Sequence, residues 1–130
     1  MTEPTWIRQD VVLAMHEEAL KKHGGPEAVR DMGLLESALA RPKDLFAYSD
    51  EVASFPPLAA AYAKDIIANH PFVDGNKRTA FTVSLTFLLL NGMIVTATKE
   101  DRVLTVWSVA DGSLSENQLA AWFERNTAQR

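Results

Sequence analysis

The sequence contains no cysteine. That absence removes disulfide staples, thiolate metal sites and a cysteine nucleophile, and it suits a reducing interior. Long apolar runs are missing too. The most apolar stretch, Phe81 to Leu90, is about half of the ~20 residues a membrane-spanning helix needs, so no membrane partner is expected. The opening MTEPTWIRQD has no basic segment leading into an apolar one, so no secretory signal is expected either. Positive charge is the minority sign: 13 Lys and Arg stand against 17 Asp and Glu, a formal net charge of −4. A surface that binds nucleic-acid backbone wants an excess of cations, so direct nucleic-acid binding is not expected. Glycine and proline number only six each, and no repeat or low-complexity linker divides the chain. What survives these exclusions is one soluble, cytoplasmic domain over residues 1–130 with a single core.

What is present is helical patterning. DVVLAMHEEALKK, residues 10–22, puts Val12, Met15, Ala19 and Leu20 on one stripe, and Gly24 stops the helix. GLLESALARP reads as a short helix closed by Pro42. PPLAAAYAKDIIANH opens with prolines suited to a first turn and continues in Ala, Ile and Leu. A further apolar helix runs from Asn76 to Leu90 and ends at Asn91-Gly92. MIVTAT after it is a brief strand or an extended connector. TKED and SENQ both have capping-box form, with Thr98 and Ser115 as N-caps for two final helices. Five to seven helices with almost no alternating pattern make the expected class all-α.

Between two of these helices stands HPFVDGNKRTA, residues 70–80. Pro71 excludes His70 from the helical region, so the helix before it should end there. Gly75 permits a tight turn, and Asn76, Lys77 and Arg78 then fill the first turn of the next helix. A helix start presents unpaired N–H groups and the positive end of the dipole, and Lys77 and Arg78 add two cations, which together make an anion seat. Asp74 would repel a phosphate unless magnesium lay between them, an ion that commonly takes one or two carboxylates plus phosphate oxygens. His70 has the chemistry of a general base for a hydroxyl proton. Base, metal ligand and anion seat are the parts needed to move a phosphorus group onto a hydroxyl. Each residue alone has a plainer reading as a turn, a cap or a solvated face, and only the combination argues for chemistry.

This stretch resembles the signature of the Fic superfamily, His-Pro-Phe-x-(Asp/Glu)-Gly-Asn-Gly-Arg-x-x-Arg, and in particular its death-on-curing (Doc) branch. HGGPEAVRDMGLLESALARP upstream and NGMIV downstream are similar to that branch as well, and the likeness covers roughly residues 10–125. The resemblance implies a compact Fic-fold helical bundle with the signature loop-helix (70–81) between two central helices. It implies His70 as general base, Asp74 as magnesium ligand, and Gly75, Asn76, Lys77 and Arg78 as the nucleotide- and phosphate-binding residues, with Phe72 packed beneath the loop. Two positions depart from the general pattern: Lys77 replaces a glycine and Phe81 replaces the second arginine. Most Fic proteins transfer AMP from ATP using that arginine. Doc has the lysine and phosphorylates a threonine of elongation factor Tu. The resemblance therefore implies a toxin of a toxin–antitoxin pair that moves the γ-phosphate of ATP, with Mg2+, onto a Ser or Thr hydroxyl and arrests translation. It also implies an antitoxin partner whose disordered tail folds on the toxin. The inhibitory motif (Ser/Thr)-x-x-x-Glu-(Gly/Asn) is not matched; Ser113 to Asn117 comes near it with the wrong spacing.

An AMP transferase and a non-catalytic nucleotide- or partner-binding module are the alternatives. Trp107 and Trp122 fall on apolar stripes and are expected in the core. Trp6 is either a flap over the first helix or a partner contact. His16 and His23 are expected in structural rather than metal-binding roles, and Glu36 and Arg41 are candidates to face the active site.

Overall fold

The computed structural model describes residues 3–25, 28–49 and 54–130; Pro26 and Glu27 of the upstream stretch lie outside it. The elements in chain order are α1 (Gln9–His23), α2 (Met32–Tyr48), α3 (Phe55–Asn69), α4 (Asn76–Leu90), β1 (Met93–Val95), α5 (Lys99–Ala110), α6 (Glu116–Arg125) and β2 (Thr127–Gln129). The class is all-α, with one small antiparallel pair in which Ile94 faces Ala128. MIV is thus a strand, and its partner is the chain's own end, which carries no strand signal of its own.

The centre of the bundle is α3. From Leu58 to Ala63 every side chain is buried, as is Ile66. Four alanines in that run keep the helix thin, so α2, α4 and α6 all pack directly against it. A helix with so long an apolar run is stable only when enclosed in this way. Ser84 on α4 donates its hydroxyl to the Ala59 carbonyl at 2.7 Å, fixing α4 against α3. Burial pushes the Tyr62 phenol up to about 12, and its oxygen accepts from the Ile7 N–H at 3.2 Å.

Several local expectations are corrected. Pro42 does not close α2: it is buried inside a helix that continues to Tyr48. A proline deletes one helical hydrogen bond without forbidding the turns after it, and here its ring packs into the bundle. Trp107 is not a core residue but is 57% exposed on α5. A residue can fall on a helical stripe that no neighbouring element covers. Trp122 is buried as expected, against Phe81 and Phe123. Trp6 stacks on Phe87 and meets Phe46 edge-on, so it belongs to the packing rather than to a free flap. At Ser115 the capping box closes in both directions, whereas Thr98 shows only the bond from the Asp101 N–H.

Candidate active site

The helix α3 ends at Asn69 and α4 begins at Asn76, so residues 70–75 make the turn between the two most closely packed helices. His70 caps α3 in the left-handed conformation, φ 51 and ψ 55, and is the only non-glycine residue of positive φ among those described. Pro71 disfavours the right-handed helical region for His70, as the sequence implied, and the residue turns left instead of extending. Gly75 is left-handed too, φ 82, which glycine adopts without the steric penalty other residues meet. Two left-handed residues bracketing four others reverse the chain within a short loop.

Two side chains, His16 and Asn76, hold that loop from below. Phe72 is fully buried, and the imidazole of His16 on α1 stacks on its ring with centroids 3.8 Å apart and planes 12° from parallel. His16 Nε2 lies 2.8 Å from the Asp74 carbonyl oxygen; a carbonyl only accepts, so Nε2 carries the proton and donates. Asn76, also buried, accepts the Phe72 N–H at its Oδ1 (3.0 Å) and donates from Nδ2 to the Phe72 carbonyl (2.9 Å). The Asn76 amide is thereby engaged with the loop, which leaves its backbone N–H as the group it could offer to an anion. The role of His16 could not be read from the sequence, because 58 residues separate it from its partner.

Above the loop lies a cavity of about 310 Å³ lined by His70, Asp74, Gly75, Asn76, Lys77 and Arg78, with Ile67 and Ala110 beside them. All six residues expected at the site line this one hollow. His70, Asp74 and Arg78 are exposed to solvent. The Asp74 carboxylate accepts the Gly75 N–H at 2.9 Å, and its other oxygen comes so near Gly25 that a Cβ there would sit 2.6 Å away. The connection leaving α1 therefore passes close to the Asp74 carboxylate, and it is the positive φ of Gly25, 116, that favours glycine there. Among the described residues no group of three or more His, Asp or Glu side chains could cage a metal ion. A single exposed carboxylate on the rim of an anion seat does suit magnesium, which takes its remaining ligands from phosphate and water.

A second hollow of about 520 Å³ shares Lys77 and Arg78 with the first and continues between α4 and α5. Its floor is Phe81, Leu85, Val103, Val106 and Trp107, and Lys99 and Arg102 stand on its rim. The Lys77 ammonium lies 4.5 Å from the centre of the Trp107 ring, a cation–π contact. Phe81 is buried against Trp122 and Phe123, so one helical turn past Lys77 α4 itself carries an aromatic ring in place of a cation, and the further cations of this hollow, Lys99 and Arg102, come from α5. Glu36 and Arg41 line neither hollow. Glu36 faces a surface depression beside Ile7, and Arg41 bridges Asp65 on α3 (2.9 Å) and Glu116 at the start of α6 (2.7 Å). The hydrogen bonds that Arg41 donates to the Glu116 carboxylate are the main cause holding its guanidinium above its ordinary value. Burial pushes the Asp65 carboxyl above the usual range, outweighing the pull of Arg41.

A left-handed histidine, a carboxylate and two cations around one helix start define a class, and comparison with known proteins agrees: residues 6–88 match the model of the Fic/DOC family. The chain belongs to that family, within its Doc branch. It is 43% identical over 74 residues to "Toxin Doc" of Mycolicibacterium smegmatis, a match spanning 57% of each protein. It is 31% identical over 119 residues to "Protein kinase doc" of Escherichia phage P1, spanning 92% of this chain and 93% of that one. No helix among the described residues is long and apolar enough to cross a membrane.

Proposed function

We propose that the protein is a Doc-type toxin that transfers the γ-phosphate of ATP to the hydroxyl of a serine or threonine in another protein. The observation that carries this reading is the pair Lys77 and Phe81 on α4: a cation at the mouth of the seat, and a buried aromatic ring one turn later. The names of the two relatives, a toxin and a protein kinase, support it.

The terminal phosphate lies on the α4 N-terminus, where the first-turn N–H groups, Lys77 and Arg78 face its oxygens. The rest of the nucleotide extends over the apolar floor that includes Trp107. Asp74 would be the residue to hold magnesium, which when bound would supply neutralisation of phosphate charge. His70 takes the proton of the incoming hydroxyl, whose oxygen bonds to the γ-phosphorus as the bond to the ADP oxygen breaks. By family resemblance the acceptor is a threonine of elongation factor Tu and the outcome is arrested translation. The same resemblance supplies the restraint: a separate antitoxin whose disordered tail folds on the toxin.

The test is incubation with bacterial extract and ATP labelled at either the α or the γ position. Protein labelled from γ alone is the expected result. Label from α alone would make the enzyme an AMP transferase, and nucleotide binding with no transfer from either position would make it a binding module.

A further inference from the structure

The residue ahead of α2 that reaches furthest into the site's architecture is Arg30. Its Nε donates to the His70 carbonyl at 2.7 Å and its Nη2 donates to the Asn69 carbonyl at 2.8 Å. Both oxygens belong to the end of α3, where helical carbonyls lack partners and a cation opposes the dipole. The backbone around Arg30 grips the same turn. The N–H groups of Arg30 and Asp31 both donate to the Pro71 carbonyl (2.7 and 3.0 Å), the Val73 N–H donates to the Ala28 carbonyl (3.0 Å), and Val29 pairs with Phe72 as an isolated bridge.

What this clamp holds is an unfavourable conformation. A left-handed residue with a side chain costs roughly 1–2 kcal/mol, so His70 stays there only while its surroundings insist. Arg30 is the residue whose side chain grips the His70 peptide itself. It is exposed, so its removal empties no core; the loss is a restraint on the direction of the imidazole. Direction matters for proton transfer, since a displacement of about 1 Å costs on the order of 100-fold in rate.

We propose that Arg30 is a positioning residue for His70: its fork on the Asn69 and His70 carbonyls keeps the left-handed turn in place and aims the imidazole into the phosphate seat. The inference rests on His70 acting as the base. Arg30 touches no reacting atom.

The test uses the full chain with Arg30→Met and Arg30→Lys, read in two independent ways. In phosphoryl transfer, Arg30→Met should lower kcat roughly 10- to 100-fold. It should leave the affinity for a non-hydrolysable ATP analogue, measured by calorimetry, within about 2-fold of the parent, because the seat on α4 is untouched. Arg30→Lys, which keeps a donor and the charge, should recover part of the rate. An unchanged kcat, or nucleotide binding weakened as much as kcat, would overturn the assignment. The second reading needs no activity: NMR of the His70 ring nitrogens and hydrogen exchange at the Val73 amide. A shifted imidazole and faster exchange in Arg30→Met support the clamp, and unaltered spectra sink it. Should the unmodified protein transfer no phosphate at all, the proposed function fails, and the NMR arm still decides whether Arg30 sets the position of His70. If Arg30→Met does not fold, Arg30→Lys read by NMR decides alone, through its own shift of the His70 ring.

Discussion

The two sides of the hollow at the start of α4 are built on opposite plans. On the loop side the turn is tied down by side chains: Asn76 is bonded twice to Phe72, His16 to Asp74, and Arg30 to Asn69 and His70. On the α5 side the wall is an exposed tryptophan with a lysine resting on its face, flanked by the exposed apolar side chains of Val103 and Leu104. The first side is preorganised and the second is adaptable. Under the proposed function chemistry would benefit from the first, because a general base works only when it is in place before the reacting group arrives. Binding can use the second, because a long flexible cation over an apolar floor can move to meet its ligand.

The contrast can be broken in stages. The largest effect belongs to His70→Ala, which should reduce the rate of phosphoryl transfer by about 10²–10⁴-fold, the usual worth of a general base, in single-turnover assays with saturating nucleotide. Next is Asn76→Ala, which leaves the buried N–H and carbonyl of Phe72 without partners. At about 1–3 kcal/mol each, the loss should lower stability by roughly 3 kcal/mol and the melting temperature by ~10 °C in calorimetry. An unchanged melting temperature would mean that the loop is not held as described. On the adaptable side, Trp107→Leu removes a contact worth about 0.5–1 kcal/mol and frees Lys77 for the seat. The dissociation constant for pyrophosphate, which has no base to lose from the groove, should fall about 2- to 5-fold by titration calorimetry; weaker binding would show that Trp107 helps rather than detains the lysine. The smallest effect lies outside both walls. Burial raises the Asp65 carboxyl in the folded protein, so its contribution to stability is fully present below the ordinary carboxylate value and is lost as pH rises through the raised one. Asp65→Asn keeps an acceptor for Arg41, so its melting temperature relative to the parent should be slightly higher at pH 7, with the gain vanishing near pH 3.

Much of this architecture was written locally. The helix starts at Ser115 and Thr98, the stop at Gly24, the enclosed character of α3 and the turn at Gly75 follow from residues within a few positions of one another. The signature stretch was legible for the same reason: its six site residues are close in sequence, so a single turn gathers them. Less legible was anything joined over distance. Pro42 looked like a stop because proline weakens a helix locally, and only its burial in the bundle shows why α2 runs through it. Trp107 looked like core because periodicity reports which face a residue is on, not whether another element covers that face.

By itself the sequence determined an all-α chain with a histidine, a carboxylate and two cations gathered at one helix start, since capping, periodicity and turn preference act over a few residues. Only the tertiary structure decided that His16 and Arg30, 58 and 40 residues from their partners, hold the loop, and that Lys77 rests on Trp107. Such contacts arise from how α1, α5 and the segment before α2 pack around α3 and α4, and no local preference encodes which distant side chains that packing brings together.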